Sequence, residues 1–464
     1  MTTITLTNDS DAYDAGNGDW EIYGLDGNDT ITAGDGNSSV DGADGADSIY
    51  LGIGNFTVTS GAGSDYIIYT PGSTLNIDTG DGNDFLSFTS TAGVAATTYI
   101  VSLGEGDNIT NLSTTTGPTT ITAGSGNDEV YAGFGSNYID VGAGNNSVAT
   151  EYSYYLGNLG PSNDTIISGD GHDAFSIGDG NDILTIGAGT ATITGGLGDK
   201  VITASTTAGD ITITLGAGNH VITAGSGAAR INVGDGNNTI TAGDGIDTIY
   251  LGVGDQSVTS GAGSDYIIYT PGSTLNIDTG DGNDFVSFTS ALGTGATTYV
   301  VDLGEGDNIT NLSTTTGATT LTAGSGNDEV YTGFGTAYIN VGDGSNTVYT
   351  EYSQYSGALG TSNDTVITGS GNDRVSTGGG IDIIDTGDGD DLIYITDGGD
   401  TLIFNVGSAA SNIDHVYGAT AGITVDVGGS ATLMLINGEA ALYGDATNIL
   451  YFVGVTDMSL ITLI

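Results

Sequence analysis

The sequence predicts an all-β solenoid, a coil of short parallel strands stacked one on the next, and three observations predict it. Gly18, Gly27, Gly36, Gly45, Gly54, Gly63 and Gly72 fall nine residues apart. Ile31, Val40, Ile49, Val58 and Ile67 each follow their glycine by four residues. Finally, residues 60–85 recur unchanged at 260–285, so the array has itself been duplicated.

Each nonapeptide has a glycine-rich polar half and a short β-branched half. Glycine reaches positive φ without steric cost, so the first half turns tightly and exposes carbonyls. The second half alternates with period two and carries one apolar residue that points inward along a very short strand. A single unit cannot bury that residue, whereas stacked units can, which is why such repeats come in arrays. Two nonapeptides make one coil of 18 residues, with a strand on each face and a turn along each edge.

GLDGNDTIT from Gly24, SGAGSDYII from Ser60 and TGDGNDFLS from Thr79 resemble the RTX (repeat-in-toxin) motif G-G-x-G-x-D-x-U-x. That resemblance implies a right-handed parallel β-roll that binds calcium. It also implies that the sixth-position Asp supplies side-chain oxygen while carbonyls of its own turn and of the turn one coil away complete the shell. The Asp lies two residues after the phased glycine. The matching positions are Asp29, Asp47, Asp65, Asp84, Asp128, Asp164, Asp173, Asp182, Asp247, Asp265, Asp284, Asp328, Asp364, Asp373, Asp382 and Asp391. Asp29, Asp47 and Asp65 are 18 apart and share an edge, while Ser38, Phe56 and Thr74 fall on the other. Asp247 and Asp265 likewise alternate with Asn238, Gln256 and Thr274. Calcium is therefore expected along one edge in these stretches and along both edges around 364–391. Lys200, His220 and Ala229 mark a weak, calcium-free zone between them.

Composition narrows the function. The 464 residues include 57 Asp+Glu and only 3 Lys+Arg, for a formal charge of −54. Such charge opposes compaction unless cations bind, and hard oxygen donors select Ca²⁺ over zinc or copper. Lys200, Arg230 and Arg374 cannot form the basic footprint that nucleic acid requires. The start, MTTITLTNDSD, reads as no cleavable secretory signal, and no run of apolar residues is long enough for a membrane-spanning helix. Millimolar calcium is an extracellular condition. The resemblance then implies export through type I secretion, directed by an uncleaved C-terminal signal.

Along the chain, residues 1–15 read as a first capping or assembly strand, 16–200 as one roll block and 201–400 as its duplicate. Residues 401–464 read as a β-rich cap, assembly segment and secretion signal. The phase slips at Gly82 and is interrupted between Phe88 and Gly117. The tyrosine-rich insertion at Glu151 recurs at Glu351, and the coil is expected to continue beneath it with Tyr152, Tyr154 and Tyr155 at the surface or packed on a face. At ~4.8 Å per coil the array is expected to be a rod of about 100 Å.

The sequence contains no H-E-x-x-H and no G-x-S-x-G. His172, His220 and His415 are far apart in the chain. Repeats from residue 16 to about 400 leave no stretch for a separate catalytic domain. The expected function is a secreted, calcium-dependent structural protein, without enzymatic activity, that self-assembles into a surface layer or filament. The expected partners are further copies of itself and cell-surface polysaccharide. An extracellular adhesin is the alternative. An ice-binding roll would need a regular Thr ladder, and a polysaccharide-modifying enzyme a cleft with clustered His, Arg or Lys.

Overall fold

The computed structural model describes every residue except 73, 90–97, 114–115, 151–161, 205–208, 272–273, 290–297, 314–315, 352–361, 397–398, 405–411, 420–421, 428–430, 437–438 and 446–447. The described chain is an all-β parallel β-roll solenoid, divided into two compact units, Met1–Gly234 and Asp235–Ile464.

In the first unit every coil gives one strand to each of two parallel sheets. Thr30–Ala33 pairs with Ser48–Leu51, and Ser48–Leu51 with Tyr66–Tyr69 and then Phe85–Phe88. On the opposite sheet Trp20–Tyr23, Ser38–Asp41, Asn55–Thr59 and Thr74–Asp78 follow one another. The register is the sequence period made physical, with Ile31 against Ile49 and Val40 against Val58. Strands this short have no stability of their own. Stability comes from stacking inward residues, and Ile31, Ile49, Ile67, Leu86 and Val130 are completely buried. Each contributes about 1.5–3 kcal/mol by leaving water.

Residues 1–15 join the start of the roll, because Thr2–Thr5 lies parallel to Trp20–Tyr23 and Ala12–Asp14 to Thr30–Ala33. Past the interruption after Phe88 the strand pairing resumes in register. Tyr99–Ser102 pairs with Thr74–Asp78, and Ile109–Asn111 with Phe85–Phe88. The slip near Gly82 moves one expectation, since Phe56 stands against Leu75 and not Thr74. One extra residue in that coil shifts the frame. The same slip sets Gln256 against Leu275 and not Thr274.

Across the tyrosine-rich insertion the sheets close without a gap, because Asn137–Asp140 pairs with Thr165–Ile167 and Ser147–Ala149 with Gly171–Ile177. The coil continues with nine extra residues, as their spacing of 27 records. Tyr152, Tyr154 and Tyr155 lie outside the described residues.

The second unit repeats this construction from Asn238–Thr241 and Thr248–Leu251 onward. The C-terminal segment prolongs the roll before leaving it. Thr401–Phe404 and Ile423–Val427 extend one sheet, and Asn412–Tyr417 extends the other. Thr432–Ile436, Glu439–Asp445 and Asn448–Phe452 then run antiparallel. The last strand, Ile461–Leu463, pairs with Ile423–Val427. Among the described residues the only helical element is the 3-10 turn Met458–Leu460.

Candidate metal-binding edges

The turns between strands stack as tightly as the strands. Gly45 and Gly63 have φ of 149° and 142°, and a Cβ on either would collide with the carbonyl of the glycine one coil back, Gly27 and Gly45 respectively. Glycine is required there because backbone meets backbone.

This close stacking brings the motif aspartates into ladders. In the first unit Asp11 N–H donates to Asp29 Oδ1 at 2.7 Å, Asp29 to Asp47 at 2.8 Å, Asp47 to Asp65 at 2.8 Å and Asp65 to Asp84 at 2.8 Å. The ladder runs on through Asn108, Asp128 and Asn146 to Asp173. On the opposite edge Asn137 donates to Asp164 and Asp164 to Asp182. In the second unit one edge runs from Asp247 through Asp265, Asp284, Asn308, Asp328, Asn346, Asp373 and Asp391 to Asp414. The other edge carries Asp364, Asp382 and Asp400. Both edges are thus acidic from 364 to 391.

Oδ1 is satisfied by the ladder, but Oδ2 is another matter. The Oδ2 of Asp29 and of Asp47 is buried with no hydrogen-bond partner. The same holds by hydrogen-bond geometry for Asp65, Asp84, Asp128, Asp265, Asp284, Asp328, Asp364, Asp373, Asp382 and Asp391. At several of these a Ser, Thr or Asn, such as Thr79 beside Asp84, still eases the charge in part. A buried carboxylate oxygen without a partner is costly.

Six stretches, 23–55, 113–148, 159–184, 232–267, 313–348 and 367–402, match the family described as the RTX calcium-binding nonapeptide repeat (4 copies). The chain is an RTX repeat protein. No curated protein and no solved structure matches it. RTX repeats are calcium-binding motifs, and RTX repeat proteins are typically extracellular. No helix among the described residues is long and apolar enough to cross a membrane.

The residues of this RTX protein fit calcium. A Cβ on Gly24 would lie 2.7 Å from Asp29 Oδ2 and 2.8 Å from the Gly42 carbonyl oxygen. Glycine thus leaves open a cradle between a carboxylate of its own coil and a carbonyl of the next. Gly42 does the same between Asp47 Oδ2 and the Ser60 carbonyl. Among the described residues no three acidic or imidazole side chains cluster. A cation here would meet one carboxylate per coil with turn carbonyls as its other oxygens, the all-oxygen set that Ca²⁺ accepts.

Burial, opposed by the ladder hydrogen bonds, raises the pKa of these carboxyls. Asp47, Asp373 and Asp382 rise to about 7. Asp84, Asp164, Asp284, Asp328 and Asp391 rise to about 6. Asp29, Asp65, Asp128, Asp173, Asp265 and Asp364 move in the same direction for the same reason. Asp414, facing Asp391 across the last ladder step, is held upward by burial and by that neighbouring charge. Without a cation the edges shift these carboxyls toward the protonated form; a bound divalent ion acts in the opposite direction.

Sequence reasoning did not place Asn108, Asn146, Asn308, Asn346, Asp400 or Asp414 in the ladders. Asp400 was findable, lying 18 residues after Asp382. Asn146 and Asn346 were too, two residues after Gly144 and Gly344. Their Nδ2 groups donate to turn carbonyls, Asn146 to Gly142 and Gly144 and Asn346 to Gly342 and Gly344. In the remaining coils of the first unit the ladder position is apolar or neutral, as at Phe56, Leu75, Tyr99, Ala191, Ile211 and Ala229, all buried. Lys200 and His220 occupy it after Asp182.

Proposed function

We propose that this RTX protein is a calcium-dependent structural protein, secreted unfolded, that folds outside the cell and self-assembles into a surface layer or filament. The observation that carries this reading is the set of buried carboxylates in both units whose Oδ2 atoms lack a hydrogen-bond partner, with no acidic or imidazole cluster beside them among the described residues. The acidic chain stays expanded where calcium is scarce and condenses once ions neutralise the edges. Assembly is supported by the terminal strands. Among the described residues Thr2–Thr5 and Ile461–Leu463 each pair on one side only, and unpaired strand edges recruit further strands.

The test is negative-stain electron microscopy with millimolar calcium and again with chelator. Ordered sheets or fibres that vanish on chelation are expected. Folded particles that stay dispersed at high protein concentration in calcium would sink the assembly half.

An exposed aromatic row favours the adhesin as second reading. Tyr66 stacks on Phe85 at 5.1 Å and meets Tyr50 edge-on at 6.3 Å, and Tyr66 is 41% exposed. Tyr250, Tyr266 and Phe285 repeat this row in the second unit. Such rings suit the flat faces of a polysaccharide, and glycan-array binding lost in Tyr66→Ala with Tyr266→Ala would favour this role.

A further inference from the structure

In the first unit, one cage along the edge is already filled by the chain itself. Lys200 stands two residues after Gly198, where the motif calls for Asp. It is completely buried. Its Nζ lies 2.9 Å from the carbonyl of Gly178, 2.6 Å from that of Gly180 and 3.1 Å from that of Leu197. Asp182 Oδ2 completes the set at 2.7 Å. These are a motif carboxylate, two carbonyls of its own turn and one of the turn a coil away. By the same offsets, the carbonyls that correspond to these in the Asp29 coil are those of Leu25, Gly27 and Asp44.

We propose that the Lys200 ammonium replaces a calcium ion in this cage, making the coils from about 178 to 233 a segment that stays folded without calcium. The proposal rests on the reading that the aspartate edges take calcium. Two further observations support it. On the opposite edge of the same coils the ladder positions are Ala191, Ile211 and Ala229, exposed by 4%, 2% and 2%, so neither edge there leaves a carboxylate in want of a cation. In the second unit Gln256 Nε2 also donates to turn carbonyls, those of Gly236 at 2.9 Å, Gly254 at 3.1 Å and Gly252 at 3.3 Å. N–H donors thus enter such cages at more than one place. The four-carbon stem suits lysine to this role, since it reaches back to the preceding turn while its charge meets Asp182.

Hydrogen exchange of the full chain in chelator tests this. Amides of Ile183–Ile186 and Val201–Ala204 are expected to exchange about tenfold slower than those of Thr30–Ala33 and Ser48–Leu51, whose local stability depends on calcium. Lys200→Asp restores the motif. By native mass spectrometry in calcium it should hold one more ion than the wild type, and its 183–204 amides should lose their protection in chelator. Wild-type exchange at 183–204 as fast as at 30–51 overturns the proposal, and so does a folded Lys200→Asp chain with an unchanged ion count. Should that variant not fold, the wild-type exchange decides alone. A wild type that binds no calcium overturns the reading of the edges and this proposal with it, whereas bound ions with uniform exchange overturn this proposal only.

Discussion

Coils 29–84 and coils 182–229 of the first unit share one backbone, yet they meet their electrostatic demands in opposite ways. In the former, Asp29, Asp47, Asp65 and Asp84 line one edge, and Phe56 and Leu75 fill the other. In the latter, Asp182 and Lys200 pair on one edge, with Ala191, Ile211 and Ala229 packed on the other. The comparison teaches that the stacked turns supply the carbonyls in both regions, and the residue at the ladder position decides what meets them, an aspartate, the Lys200 ammonium or an apolar side chain such as Phe56.

The sharpest test of that contrast is removal of calcium at neutral pH. A site held at about a hundred times its dissociation constant contributes about 2.7 kcal/mol. A handful of sites therefore exceeds the ~5–15 kcal/mol of net stability usual for a domain. Far-UV circular dichroism should lose most of its β signal in chelator and regain it on adding calcium.

Next in size is pH. Raised carboxyl pKa values mean that the cation-free fold binds more protons than the unfolded chain does. Its stability is greatest below the ordinary Asp value near 4 and is lost as pH rises through 6 and 7, where Asp84, Asp47 and Asp382 titrate. The melting temperature of metal-free protein should fall from pH 4.5 to pH 8. Calcium affinity should rise over the same window, because protons compete for the same oxygens. A metal-free melting temperature that climbs with pH would contradict this account.

Single substitutions divide the two regions. Asp182→Asn strands the Lys200 charge and should cost about 3–5 kcal/mol with or without calcium. Asp47→Asn should change sign. It destabilises by roughly one site, about 2.7 kcal/mol, in saturating calcium, and stabilises at pH 8 in chelator by removing a buried unpartnered charge. Denaturant melts of both variants in both conditions measure the four values. Backbone changes come below these. Gly72→Ala meets open space and only the strain of φ 105°, about 1–2 kcal/mol. Gly45→Ala adds its collision with Gly27 and should lower the melting temperature further. Smallest of all, Tyr66→Ala removes one exposed ring stack, about 0.5–1.5 kcal/mol.

Most of this was legible in the sequence because the fold is periodic. The glycine frame and Ile31, Val40 and Ile49 give strand, face and register at once. The carboxylates were legible for the same reason. What escaped was whatever the backbone supplies. Carbonyl oxygens carry no residue signature, and Asn108, although two residues after Gly106, stands in a stretch that counting nine-residue steps leaves out of frame. Nor could the sequence say that Lys200 points back into the previous turn; a lone lysine reads as a missing ligand. Extra residues were misplaced where frame and register part, as at Leu75, because counting glycines does not reveal which turn absorbs an insertion.

The register has a mechanical consequence. Each coil is hydrogen-bonded to the coil before it and the coil after it, with Ile31 against Ile49 and Ile49 against Ile67. Those bonds run along the stacking direction. A pull along that direction loads one interface at a time, as in a zipper, and no interface is sheared as a whole. Each coil of 18 residues that lets go returns about 60 Å of slack chain where it had occupied ~4.8 Å of stack. Where a cage takes calcium, the ion adds to the force at which its coil opens. A chain built this way lengthens in steps under load and re-forms when the load falls, with a stiffness that follows the calcium around it.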